Sequence, residues 1–155
     1  MSQLAIGSPA PDFELNDGNG RSYRLSNALA RGPLALIFYK SSCPTCQFTF
    51  PLIQRIYSKL GSAAPWRLWG ISQDDFDETR AFARQNGITF DLLIDEHPYP
   101  LSAAYGLHNV PAIFIIQSDG SVSLSDFGFS KDTLNQIAGF AFFASDDGLP
   151  ATRPG

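Results

Sequence analysis

Cysteine is nearly missing from this chain of 155 residues: there are two, Cys43 and Cys46. That count excludes a disulfide-rich scaffold and a zinc site built on four thiolates. Basic charge is also scarce. Eleven basic side chains against fifteen acidic ones leave a net charge of −4, with no basic cluster, which argues against a nucleic-acid partner. No apolar run approaches the ~20 residues that a helix needs to span a bilayer. The opening Met1-Ser2-Gln3-Leu4-Ala5-Ile6-Gly7 lacks a basic stretch followed by an apolar core, so it does not read as a secretory leader. The chain is therefore expected in the cytoplasm, and an exported form would need a leader outside this sequence. In that compartment a pair of cysteines is redox-active or metal-binding rather than structural.

What is present describes a globular protein, with 44% apolar and 17% charged residues. One domain over residues 1–145 is expected. From residue 146 on, with Pro150 and Pro154, the chain reads as a flexible tail. Neither repeats nor low-complexity tracts occur.

The two cysteines form Cys43-Pro44-Thr45-Cys46, and their place matters as much as their spacing. The apolar run Leu34 to Tyr39 precedes them and has strand length. A helix-like segment, Gln47 to Leu60, follows. A helix N-terminus carries partial positive charge and unpaired N–H groups, and so favours a thiolate over a thiol. Cys43 would be the reactive sulfur at that cap, with Cys46 three residues on and within bridging reach. Pro44 suits the first turn, where its missing N–H costs nothing.

Other elements follow from turn and capping chemistry. Asp12 to Leu15 and Arg21 to Leu25 flank the turn-rich Asn16-Asp17-Gly18-Asn19-Gly20, which predicts a hairpin. Ser26 can cap a short helical turn ending near Gly32. Residues 34–40 are a central strand, and 44–60 a helix with Pro51 inside it and Gly61 at its end. Trp66 to Ile71 is a strand. Asp74 and Asp75 open a helix to about Gln85, closed by Asn86-Gly87. Phe90 to Ile94 is a strand, Leu101 to Tyr105 a short helix. Ala112 to Gln117 and Ser121 to Phe127 form a hairpin about Asp119-Gly120. Ser130 caps a last helix from Lys131 to about Ala144. This order predicts an α/β fold, a mixed sheet covered on both faces.

In that order the pieces resemble the thioredoxin fold, and more closely the alkyl-hydroperoxide-reductase/thiol-specific-antioxidant group with its TlpA-like thiol–disulfide oxidoreductases. The resemblance rests on Gly7-Ser8-Pro9-Ala10-Pro11-Asp12-Phe13, on Phe38 through Cys46, and on Phe50-Pro51. It continues in Gly70-Ile71-Ser72-Gln73-Asp74, Ala104-Tyr105-Gly106 and Val110-Pro111-Ala112-Ile113-Phe114-Ile115. It implies a thioredoxin-like three-layer sandwich with an N-terminal β-hairpin extension. It also implies a cis Pro111 lying against the cysteines, with Val110 offering its backbone to an extended substrate. Val110, Pro111 and the spacer Pro44-Thr45 are then the substrate-binding residues. Two family acids are absent. A TlpA-like reductase often carries one three residues after the second cysteine, where this chain has Thr49, and thioredoxins carry one in the preceding strand, where it has Ile37. The tryptophan usual before the first cysteine is Ser42. Lys40 and Thr49 are the proton-transfer candidates that remain.

The resemblance implies that Cys43 attacks a substrate disulfide and Cys46 resolves the mixed disulfide. Partners are then protein thiols and disulfides or a thioredoxin-type electron donor, and no bound cofactor is implied. Reduction potentials of two-residue-spacer motifs span about 150 mV, roughly 7 kcal/mol, so Pro-Thr leaves the direction open. The alternative is a peroxiredoxin-type peroxidase, with Cys43 peroxidatic and Cys46 resolving. Such an enzyme has a threonine or serine three residues before the peroxidatic cysteine, where this chain has Lys40, and an arginine at the peroxide site, for which Arg67 and Arg84 are the candidates. A metal carrier would need His97 and His108 to complete the half-site that two cysteines supply. Phe48, Ile53, Ile56, Phe140 and Phe143 read as core. The run Asp74, Asp75, Asp77, Glu78 reads as helix-start acids rather than metal ligands.

Overall fold

The computed structural model describes residues 2–61, 67–144 and 147–155. The expected hairpin is present: β1 (Glu14–Asn16) pairs antiparallel with β2 (Ser22–Arg24). The helix after it, α1 (Leu25–Leu29), starts before Ser26, with Arg24 at the cap position. The Asp12 carboxylate takes the Ser26 N–H at 2.9 Å, so a carboxylate from outside the helix does the work expected of the Ser26 hydroxyl. Buried Leu25, Ala28 and Leu29 form the inward face that draws the first residue into the helix.

Next come β3 (Leu34–Tyr39) and α2 (Pro44–Leu60), which keeps Pro51 within it and ends at Gly61. β4 (Arg67–Ser72) follows, and Trp66 lies outside the described residues. α3 (Phe76–Asn86) is capped by Asp75, whose carboxylate accepts the Glu78 N–H at 2.8 Å, and it closes on a left-handed Gly87. β5 (Asp91–Ile94), α4 (Pro100–Ala104), β6 (Ala112–Ile116) and β7 (Val122–Phe127) fall close to expectation. The two-residue β8 (Phe129–Ser130) leads into α5 (Lys131–Ala138), which the Ser130 hydroxyl caps. α5 stops six residues earlier than the sequence predicts, at a left-handed Gly139. That early stop separates two phenylalanines read together as core. Phe143 is buried, but Phe140 is 54% exposed. Beyond them β9 (Thr152–Arg153) pairs antiparallel with β8, so residues 147–155, within the expected tail, lie against the domain.

The main sheet runs β5-β4-β3-β6-β7, with β3 parallel to β4 and antiparallel to β6. No residue of β3 is exposed, because both its faces are covered. Ala35, Ile37 and Tyr39 face the core shared with Phe50 and Ile53 of α2, Phe82 of α3 and Leu134 of α5. Leu34, Leu36 and Phe38 face the opposite core, with Leu25, Leu101, Tyr105 and Trp69. The result is the three-layer α/β sandwich, its helix α2 leaving the carboxyl end of the central strand. Among the described residues no helix is long and apolar enough to cross a membrane.

Phe50 ties α2 to this framework: its ring lies 4.3 Å from Tyr39, 5.3 Å from Phe82 and 5.9 Å from Phe90. Phe50→Ala should cost about 3–5 kcal/mol in urea unfolding, since it removes a fully buried ring from among Tyr39, Phe82 and Phe90. A loss below about 1 kcal/mol would show that the aromatic cluster is not the anchor of α2.

Candidate active site: a dithiol at a helix start

β3 ends at Tyr39, and residues 40–42 turn the chain into α2. The turn is held from three directions. Lys40 O accepts the Cys43 N–H at 3.1 Å, Ser41 N donates to the Asp74 carboxylate at 2.7 Å, and the Gln47 amide donates to Ser41 O at 2.7 Å. Cys43 is thereby fixed as the N-cap of α2, with Pro44 in the first turn. Its sulfur accepts the Cys46 backbone N–H at 3.1 Å. One of the helix's unpaired donors is thus already aimed at the sulfur that would carry charge.

The two sulfurs differ sharply. Both are free thiols; Cys43 is half-buried, while Cys46 is 0% exposed. Burial, then its hydrogen bond to Cys43, pushes the Cys46 thiol far above its ordinary range, and the Asp74 charge adds to the shift. Cys43 is therefore the sulfur a substrate can reach, and Cys46 the protected one beneath it.

The Val110–Pro111 peptide is cis, as the resemblance implies. Val110 O lies 3.5 Å from the Cys43 sulfur and accepts its thiol hydrogen. Pro111 itself is buried. Pro44 is exposed, but Thr45 is covered: its hydroxyl donates to Pro154 O at 2.6 Å. Of the proton-transfer candidates, Thr49 is fully buried, and its hydroxyl donates to Thr45 O at 2.7 Å. Lys40 borders two hollows, neither of them lined by Cys43 or Cys46. One, of about 410 Å³, is lined by Gln73, Tyr99, His108 and Val110 among others. Its neighbour, of about 480 Å³, is lined by Asp74, Asp75, Glu78 and His97. A larger hollow of about 670 Å³ lies between β7 and α5 and contains neither cysteine.

Asp74 is the site residue the sequence reading misplaces. It belongs to no cap; Asp75 fills that role. Asp74 is 8% exposed, accepts the Ser41 N–H, and acts electrostatically on both Cys46 and Tyr39. Burial raises the Tyr39 hydroxyl far above its ordinary range, and Ser72 only partly offsets this. Among the described residues the Tyr39 hydroxyl has no partner in full hydrogen-bonding geometry, and the Ser72 hydroxyl near it is paired with Thr79 at 2.7 Å. A buried carboxylate and a buried phenol thus lie near the protected thiol, although Ile37 and Thr49 occupy the positions where related proteins carry an acid. The available signal was Asp74's place just past the carboxyl end of β4, beside the end of β3.

Neither arginine considered for a peroxide site reaches the dithiol. Arg67 opens β4 at the end opposite Ser72, and Arg84 lies in the last turn of α3, away from Asp75. Among the described residues no three Cys, His, Asp or Glu side chains gather as a metal site.

A thioredoxin-like sandwich with a Cys-x-x-Cys at the start of α2 and a cis-proline against it defines a redoxin of the dithiol type. The AhpC/TSA family matches residues 6–125, and the chain belongs to that family. It is 31% identical to the thiol-disulfide oxidoreductase ResA of Geobacillus thermodenitrificans over 119 residues, 77% of this chain and 67% of that protein. With the Bacillus subtilis protein of the same name it shares 28% identity over 119 residues, 77% of this chain and 65% of that one. Among solved structures, a candidate protein disulfide isomerase from Bacteroides thetaiotaomicron superposes with a TM-score of 0.80 at 25% identity, covering 90% of this chain and 91% of that one. The thioredoxin domain of a Bacteroides vulgatus thiol-disulfide oxidoreductase shares the fold, with a TM-score of 0.77 at 18% identity, covering 89% and 99%.

Because Cys46 must lose its proton before it can attack, release of substrate from a mixed disulfide should be the pH-sensitive step. Its single-turnover rate should climb about tenfold per pH unit through pH 9. A plateau reached near pH 7 would contradict the protected environment of Cys46.

Proposed function

We propose that this protein is a thiol–disulfide oxidoreductase that works on disulfides and dithiols of other proteins through a mixed disulfide on Cys43. The observation that carries the proposal is the pairing of a reachable sulfur at a helix cap with a buried one behind it, the Cys46 N–H already directed at Cys43. The name thiol-disulfide oxidoreductase carried by the relatives supports the same reading.

In the reducing direction the Cys43 thiolate attacks one sulfur of a substrate disulfide. The substrate S–S bond breaks, the Cys43–substrate bond forms, and the leaving thiolate takes a proton. Cys46 then gives up its proton and attacks the Cys43 sulfur. The second substrate thiolate leaves, and two electrons have passed to substrate as Cys43 and Cys46 become a disulfide. The oxidising direction is the same sequence reversed. The reading calls on no bound cofactor. Electrons come from, or go to, partner thiols, with a thioredoxin-type protein as the donor when this chain acts as reductant.

Cys46→Ser should accumulate a covalent adduct between Cys43 and a protein disulfide such as insulin, seen as a mass increase that dithiothreitol reverses. Cys43→Ser should abolish both adduct and turnover. Rapid hydrogen peroxide consumption by the unmodified protein, lost in Cys43→Ser and unaccompanied by disulfide exchange, would replace this reading with the peroxidase one.

A further inference from the structure

The approach to Cys43 is already lined by the chain itself. Residues 147–155 run from the α5 side of the molecule to the start of α2, held at successive points. The Lys131 ammonium meets the Asp147 carboxylate at 2.5 Å and Ala144 O at 2.8 Å. Leu149, partly buried, packs against the core that α2 and α5 share, and Lys131 N donates to Ala151 O at 2.9 Å. β9 then adds to β8 as an antiparallel strand, Arg153 opposite Phe129. The Arg153 guanidinium lies 4.9 Å over the Phe48 ring, which packs edge-on against Phe129 at 5.0 Å. Pro154 O takes the Thr45 hydroxyl. Gly155 passes so close to the Val110 carbonyl that a Cβ there would sit 2.6 Å from its oxygen. Gly128 leaves equally little room, since a Cβ on it would lie 2.8 Å from Arg153 O.

Thr45 in the spacer, Val110 before the cis-proline, and the β8 edge are the groups an extended substrate segment would use, and residues 152–155 occupy all three. We propose that this segment is the resident occupant of the groove that receives substrate proteins, and that it must leave before a protein disulfide can reach Cys43. The groove's own filling indicates the partner it fits: an extended segment added alongside β8, with an arginine or lysine laid on Phe48 and a small residue at Val110. The inference rests on the disulfide-exchange reading above.

Displacement is feasible because the last four residues are held by few contacts. Among the described residues these are a two-residue strand, one hydroxyl hydrogen bond, one cation–π contact and the approach of Gly155 to the Val110 carbonyl. While the segment is seated, the apparent affinity for a protein substrate falls by the fraction of molecules with an open groove. A small disulfide needs only the Cys43 sulfur and not the groove, so it escapes that penalty.

The test compares the reduced protein with its Gly155→Leu and Arg153→Ala variants, on insulin and on a small aromatic disulfide. Gly155→Leu forces a side chain against the Val110 carbonyl, and Arg153→Ala removes the contact on Phe48; neither touches the core. The rate constant for insulin should rise about threefold in Arg153→Ala and about tenfold in Gly155→Leu, while that for the small disulfide stays within about twofold. Amide hydrogen exchange at residues 129–130 and 152–153 should quicken in the same order. Faster amide exchange with an unchanged insulin rate overturns the proposal, and unchanged amide exchange in both variants overturns the packing it rests on. If the unmodified protein reacts with neither disulfide, the exchange reading itself fails, and the groove's role fails with it.

Discussion

The site hangs from the carboxyl end of β3, a strand with no exposed residue. Burial on both faces fixes its register, because a one-residue slip would exchange the two side-chain sets that pack on opposite layers. With β3 immobile, the turn at residues 40–42 has a fixed origin, and the hydrogen bonds from Ser41 to Asp74 and from Cys43 to Lys40 set where α2 begins. Cys43 caps that helix because of where the strand ends. The aromatic cluster of Tyr39, Phe50, Phe82 and Phe90 then holds α2 down against the sheet.

From this anchoring comes the chemical difference between two identical side chains. A cap residue faces outward at the helix end, while a residue three positions on faces the sheet, so one thiol meets substrate and the other meets Tyr39 and the core. Exchange needs that inequality: a nucleophile that can be reached and a second thiol that is spent only after a mixed disulfide forms. Asp74 joins both halves of the arrangement. It pins the turn that places Cys43, and it keeps a negative charge near Cys46 that opposes ionisation of the buried thiol.

Residues 147–155 add a constraint of a different kind. They are held by an ion pair, edge pairing, one hydroxyl hydrogen bond, one ring contact and short backbone approaches rather than by deep burial, and even Leu149 is only partly buried. Such contacts are individually weak, and their placement across Thr45, Val110 and β8 couples access to the dithiol to the seating of a peripheral strand.

The sequence by itself determined the elements whose cause is local. The apolar run of β3, the Cys43-Pro44-Thr45-Cys46 cap, the acidic start of α3 at Asp74-Asp75 and its Gly87 stop were all legible. Each states its own backbone preference or hydrophobic period within a few residues. The cis Val110-Pro111 bond was legible only through the family resemblance. What only the tertiary structure decided involves partners far apart in the chain. Asp74 reads as a helix-start acid until Ser41 and Cys46 are folded against it. α1 begins before Ser26 because the carboxylate of Asp12, fourteen residues away, takes the Ser26 N–H. Phe140 and Phe143 share a helical spacing, yet Gly139 breaks the helix before either, and only Phe143 turns inward. Pro150 and Pro154 signal a tail because prolines resist a sheet interior, but they do not prevent Thr152 and Arg153 between them from pairing with an edge. That edge, β8, is two residues long and carries no periodicity to read, so the covering of the active site was written in contacts across the fold rather than in any local pattern.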